Sequence, residues 1–262
     1  LAGRIAGLLD RWHLRRARDY WARAAETVTG AEPFARRDLR VEARQMRRQI
    51  DRLLHLADDQ PASPQPASPL SGAGRPRPAL GTDWIWRPDV WCGPLSQPGA
   101  VVDAARKPVS DDITLHHDCP LGEIAFRQTR SLGAADRAPF ALALDVFGFE
   151  GSFLSLVMTL PDAALAGLSA RHLVRVEARV DTPAPLPCFA RLNLRHGPNV
   201  AELVSALPIG TSPAIAEFDL AYARIDQRRI ERAWVDLIFN DAGMTRIVLH
   251  DLVLSRRPRA EL

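Results

Sequence analysis

Cysteine, lysine, tyrosine and methionine are scarce in this sequence, and no catalytic signature runs through it. Cys92, Cys119 and Cys188 are an odd number at wide spacing, which is no disulfide framework and suits reduced thiols in a reducing compartment. Lys107 is the only lysine among 34 basic residues. A bias that deep reads as coding preference, so abundant arginine is discounted as a sign of phosphate recognition, and nucleic acid is set aside as a partner. No stretch approaches the roughly 20 apolar residues of a membrane-crossing helix. The opening LAGRIAGLLDRWHLRR also lacks the unbroken apolar segment and small-residue cleavage site of a secretory signal. The expected location is cytoplasmic, with a peripheral position on a membrane left open. G-x-S-x-G, Walker A, G-x-G-x-x-G, H-E-x-x-H and paired C-x-x-C patterns are all missing, so a non-catalytic protein without a cofactor is expected.

What is present is ordinary in bulk and uneven in detail. Apolar residues at 47% and charged residues at 25% are those of a globular protein, and 262 residues give room for one large or two small domains. Charge separates the two ends. Residues 1–57 carry 13 Arg against 7 acids, while residues 82–262 carry 19 basic against 22 acidic groups, so the front is +6 and the back −3. The front therefore attracts anionic partners such as lipid headgroups or an acidic protein face.

Residues 1–57 read as a basic α-helical hairpin. Ile5, Leu8, Leu9, Trp12, Ala17, Tyr20, Trp21, Ala24 and Val28 recur at helical steps. Thr29-Gly30 is a stop, and Pro33 suits the first turn of a second helix, where a missing N–H costs nothing. Leu39, Ala43, Met46, Ile50, Leu53 and Ala57 then step by four and three, the narrow seam of a coiled coil. Two helices bury little, so a homodimer, a protein partner or the rest of the chain is expected to cover the seam. Arg4, Arg11, Arg15 and Arg18 line one side of the first helix beside Trp12 and Trp21. That combination suits docking on an anionic membrane surface or a partner; a solvated arginine face is the plainer account.

Residues 58–81 contain QPASP twice in tandem. Proline and small polar residues cannot build a core, so this segment is expected to be a disordered, semi-extended linker. Residues 82–262 are expected to form a β-sandwich domain. It opens on a tryptophan-rich lead-in of little periodicity, with Trp84, Trp86 and Trp91 docking on the strands after it. From Glu123, eight or nine short alternating segments broken by Gly and Pro predict an antiparallel, jelly-roll-like sandwich. PDAALAGLSA at 161–170 is the one expected helix there. The fold class is thus mainly β, preceded by a helical hairpin and a Pro-rich linker.

Strand side chains alternate, and that sorts the candidates. In CFARLNLRH, Cys188, Ala190, Leu192 and Leu194 form a core set, leaving Phe189, Arg191, Asn193 and Arg195 outward. In RAWVDLIFN, Ala233, Val235, Leu237 and Phe239 turn inward, leaving Trp234, Asp236 and Asn240 outward. Guanidinium, amide and carboxylate groups beside an exposed aromatic ring are what a glycan-binding sheet uses, through stacking and paired hydrogen bonds to hydroxyls. A solvated face with cross-strand ion pairs has the same composition. HGPN at 196–199 is a turn, and His196 and Asn199 are kept as loop-tip candidates. His116, His117, Asp118 and Cys119 are potential metal ligands, but adjacent strand residues point oppositely, and a turn before the first strand is the simpler reading. Asp251 alone makes no calcium site.

The strings FGFEGSFLSLVMTLP, RLNLRHGPN, EFDLAYARIDQRRIERAWVDLIF and LHDLVLSRRPRAEL resemble an alphaproteobacterial family of unknown function, across residues 84–262 and more loosely in the helical front. The resemblance implies no activity, ligand or catalytic residue. Where that family ends its last strand with Arg-Asp, this chain has His250-Asp251. Two functions remain in view: a sandwich that binds a glycan or other polar ligand, and an adaptor whose hairpin docks on a membrane or protein partner.

Overall fold

The helical spacing of the front yields two helices in the computed structural model, which describes residues 2–30, 32–58, 80–120, 122–131 and 138–259. The side chains of residues 2–12, among them Arg4, Arg11 and Trp12, lie outside the described residues, as does the expected linker from 59 to 79. Helix α1 spans Ala2–Thr27, a 3-10 turn covers Val28–Gly30, and α2 spans Pro33–Asp58. Pro33 opens α2, where its missing N–H leaves no bond unmade. Leu1–Asp51 and Arg52–Leu262 are two compact units.

The hairpin buries almost nothing. Trp21, Ala24, Val28 and Leu39 are half-buried, and among the described hairpin residues no side chain is fully buried. Met46, Ile50 and Leu53 of the expected seam are 39%, 48% and 66% exposed. No helix among the described residues is long and apolar enough to cross a membrane.

Among the described residues, the rest is an antiparallel β-sandwich with thirteen strands. They are β1 (Trp84–Trp86), β2 (Gly99–Val102), β3 (Arg106–Pro108), β4 (Ile113–His117), β5 (Ile124–Arg130), β6 (Phe140–Val146) and β7 (Leu154–Thr159). Next come β8 (His172–Asp181), β9 (Cys188–His196), β10 (Asn199–Ala206), β11 (Ala214–Asp219), β12 (Ile230–Phe239) and β13 (Thr245–Pro258). Among the described residues two one-turn α-helices interrupt them, α3 (Asp89–Cys92) in the lead-in and α4 (Asp162–Leu165) after β7, and two 3-10 turns, Leu220–Tyr222 and Gln227–Arg229, lie between β11 and β12. The first sheet runs β11-β8-β13-β6-β5-β2, with β1 added on β13; the second runs β10-β9-β12-β7-β4-β3. The chain passes repeatedly between sheets, as β6 to β7 to β8 shows, so both sheets mix distant segments.

Four strands precede Glu123, where eight or nine were expected to begin. β1 to β3 are three or four residues long, too short to show alternation. β4 does alternate, with Ile113, Leu115 and His117 buried and Thr114 and His116 half-buried. The HHDC stretch therefore starts in a strand and not in a turn. The helix expected over 161–170 is reduced to the single turn of α4, and Gly167 leaves it at φ +72. That value lies in the left-handed region that glycine enters freely.

The core follows the alternation closely. Leu192, Leu194, Val235, Leu237 and Phe239 from the second sheet meet Val176, Ala178, Leu142, Leu144 and Leu254 from the first, each fully buried. Each large side chain contributes roughly 1.5–3 kcal/mol by leaving water. The last strand breaks the pattern once. In β13 the register jumps between Leu249 and Asp251, so His250 forms a bulge and Asp251 falls on the outer side, opposite Arg179. His250 meets the Asp181 carboxylate at 2.8 Å, a pairing that an arginine at this place could also make.

The lead-in packs against that side of the first sheet, where α3 contacts β6 and β13. The Trp91 indole is fully buried and donates to the Leu249 carbonyl at 2.9 Å. Ala141 and Ala143 are covered as well as Leu142 and Leu144, so β6 is buried on both faces. Trp84 and Trp86 stack with centroids 6.4 Å apart and pack on the core, which fulfils the docking expected of the tryptophans.

Candidate ligand-binding face

The outer side of the second sheet is where the sequence candidates gather. Cross-strand pairing aligns Glu202 of β10, Asn193 of β9, Trp234 of β12 and Thr159 of β7 in one row. The neighbouring row holds Val204, Arg191, Asp236 and Val157. The third holds Phe189, Ile238, Ser155 and His116, the last supplied by β4. Five strands thus present one patterned surface.

Its centre is an ordered ion pair. Asp236 is 2% exposed, and its Oδ2 accepts from Arg191 Nε at 2.8 Å, from a second Arg191 guanidinium nitrogen at 2.7 Å and from Asn193 Nδ2 at 3.1 Å. Asn193, 1% exposed, also donates to the Arg191 and Trp234 carbonyls at 3.3 and 3.4 Å. A buried carboxylate without such partners would be costly. Here it is compensated, and in return it fixes the guanidinium plane. Arg191 keeps 37% of its side chain exposed, with Glu202 at 3.8 Å from Nη1.

This corrects the expectation for Asn193 and Asp236. Both lie on the predicted face, yet neither reaches its surface. Alternation decides the side on which a short residue stands; the long Arg191 and Trp234 side chains beside them decide depth. Asn193 and Asp236 hold Arg191, and Arg191 is the group presented.

Trp234 is half-buried. The Arg232 guanidinium lies 5.8 Å from its ring centroid and donates to Thr159 Oγ1 at 3.1 Å. Phe189 is half-buried at the far row. Arg195 is exposed, with Glu231 3.8 Å away. His196 does not join the face: it has the parity of the core set, is 8% exposed, and its Nδ1 accepts the Asp226 N–H at 3.3 Å. It closes the β9–β10 turn, in which Gly197 adopts φ 60. Asn199 is exposed beside that turn and borders a small cleft with Tyr222 and Arg224, which meets the first row at Glu202.

His116 does join this face, although its HHDC stretch suggests a turn. Burial holds its pKa below the ordinary value, the Arg106 charge adds to this, and Asp236 acts in the opposite direction. The imidazole is therefore neutral at pH 7, able both to donate and to accept. The strict alternation of ITLHH was the available signal; taking HHDC as one cluster concealed it. His117 points inward, with Nε2 3.0 Å from the Ala104 carbonyl oxygen. Among the described residues no three His, Cys, Asp or Glu side chains could jointly hold a metal ion. Burial pushes the Cys188 thiol up to about 12, which leaves it unreactive.

A family model matches residues 1–262. The chain belongs to DUF6478, a family of unknown function. No curated protein sequence matches it. Among solved structures, it is similar to the family 11 carbohydrate-binding module from Clostridium thermocellum in complex with a β-1,3-1,4-mixed-linked tetrasaccharide, at 10% identity and TM-score 0.39, over 63% of this chain and 98% of that one. The CBM22-1 xylan-binding domain of Paenibacillus barcinonensis Xyn10C gives 10% identity and TM-score 0.36, over 70% and 100%. The enzymatically active domain of bacteriophage CBA120 tailspike protein 4 gives 9% and 0.39, over 55% of this chain and only 19% of that one. Similarity this low says nothing of what the DUF6478 chain binds.

Proposed function

We propose that the sandwich is a non-catalytic, cytoplasmic binding module that takes a glycan or similar polyhydroxylated ligand across the outer side of its second sheet. The observation that carries this reading is Arg191, held by the buried Asp236, which Asn193 steadies, while 37% of its side chain stays exposed near Glu202, 3.8 Å from Nη1, in the row beside half-buried Trp234. A fixed guanidinium offers paired donors to adjacent hydroxyls at little cost in side-chain ordering. Neutral His116, Thr159 and Glu202 supply further donors and acceptors on the same surface. The Trp234 ring suits stacking with the apolar face of a sugar, which would replace the Arg232 guanidinium there.

The test is a glycan array followed by calorimetric titration of the binders. Arg191→Ala and Trp234→Ala should each weaken binding by about ten-fold or more, the loss of one good polar or stacking contact. Absence of saturable binding across a broad array, or unchanged affinity in both variants, defeats the proposal.

A further inference from the structure

Among the described residues, the groove between α1 and α2 is lined by apolar and arginine side chains and by no carboxylate. It runs in two stretches of about 510 and about 670 Å³ that share Trp21 and Ala43. Leu14, Trp21, Leu39, Met46 and Ile50 make its apolar floor, and Arg15, Arg18, Arg36, Arg40 and Arg47 stand along it. Leu14 is 70% exposed and Ile50 48%. With no described side chain fully buried, this pair of helices lacks the packing that ordinarily holds helices in water.

Shape and charge together select the occupant. A cleft between two helices accommodates a third helix, laid in through its apolar stripe; a flat bilayer meets the rims of such a cleft and not its floor. The positive charge along the groove, Arg15 and Arg40 included, favours an occupant with negative charge beside its stripe. A second copy of the hairpin is a poor match, because residues 1–57 carry 13 Arg against 7 acids and would set arginine against arginine. We infer that the α1–α2 groove is a docking site for an amphipathic helix of a partner protein, with an apolar stripe flanked by Asp or Glu.

The experiment uses the full chain and a labelled synthetic helix of about three heptads, leucine at the seam positions and glutamate at the flanks. Its counterpart carries lysine at the flanks. Fluorescence anisotropy should show saturable binding of the glutamate peptide, at least about ten-fold tighter than the lysine peptide, and weakening as salt rises from about 0.05 to about 0.5 M. The doubly substituted Arg15→Glu/Arg40→Glu chain should reverse the preference, a gain that unfolding cannot mimic. Equal binding of the two peptides, no binding, or an unreversed preference overturns the assignment. So does a chain that ignores the peptide and instead co-sediments with phosphatidylserine vesicles, or one that forms a dimer closed to the peptide.

Discussion

The two sheets of the sandwich carry the same ion pair under different cover. On the first sheet, Asp251 takes Arg87 in a two-point bond of 2.8 and 3.0 Å, and the lead-in seals both, leaving the arginine and aspartate side chains 6% and 5% exposed. On the second, Asp236 takes Arg191 at 2.8 and 2.7 Å, and the carboxylate side chain is 3% exposed while the guanidinium keeps 37%. The chemistry is alike. What differs is that one arginine arrives from a covering segment and the other stands on the sheet itself. The first pair fastens the lead-in; the second leaves a presented group. On the proposed function, an Arg–Asp pair serves binding only where one partner remains exposed, as Arg191 does.

The strongest test of that contrast is to break the sealed pair. Asp251→Ala leaves the Arg87 guanidinium under the lead-in without its carboxylate, and removal of one partner of a buried pair costs about 3–5 kcal/mol. Urea unfolding should show that loss, and Arg87→Ala should approach it. Binding in the surviving folded fraction should be unchanged. A loss below about 1 kcal/mol, the scale of exposed pairs, would show that the lead-in does not seal the site.

Period-two alternation made much of this legible in the sequence. It placed Cys188, Ala190, Leu192 and Leu194 in the core and put Arg191, Asn193, Trp234 and Asp236 on one side of one sheet. It failed where something other than parity decides. The role of Asp251 was hidden because the bulge at His250 breaks the count and because its partner lies 164 residues earlier. Arg87 sits in a stretch whose strands are too short to carry a period. The depth of Asn193 and Asp236 depends on the reach of their neighbours, which alternation does not encode. The hairpin was legible as helices; the exposure of Met46, Ile50 and Leu53 on its seam is a three-dimensional fact.

Breaking the open pair should act more on binding than on folding. Asp236→Asn keeps the shape but removes the charge that fixes Arg191, and weakening one charge-assisted bond costs about 1–3 kcal/mol. Glycan affinity should fall about as far as in Arg191→Ala, near ten-fold. If Asp236→Asn instead destabilises as much as Asp251→Ala, with affinity intact, the two pairs serve the same structural role and the contrast fails.

His116 adds a smaller effect with a definite sign. Its folded pKa lies below the ordinary value of 6.5, so between the two values the unfolded chain binds more protons than the folded one. The contribution of His116 is then neutral above about pH 6.5 and becomes destabilising as pH falls through the window below it. Urea midpoints compared between the native chain and His116→Gln should separate on acidification, the variant losing less stability. Ligand affinity should weaken over the same range, because a protonated imidazole no longer accepts a hydrogen bond. Parallel pH profiles for the two proteins would show that His116 takes no part in ligand binding or in the acid loss of stability.

The smallest expected change belongs to Arg195, and it bounds the site. It shares the strand and parity of Arg191, but its partner Glu231 is 3.8 Å away and both side chains are more than half exposed, at 56% and 58%. No buried carboxylate holds it, so nothing orients its guanidinium toward a ligand before binding. Exposed pairs of this kind contribute about 0–1 kcal/mol. Arg195→Ala should leave the urea midpoint nearly unchanged and glycan affinity within about two-fold of the native value. An effect on affinity equal to that of Arg191→Ala would mean that side-chain type on this face suffices, and that anchoring by Asp236 is not what makes Arg191 a ligand group.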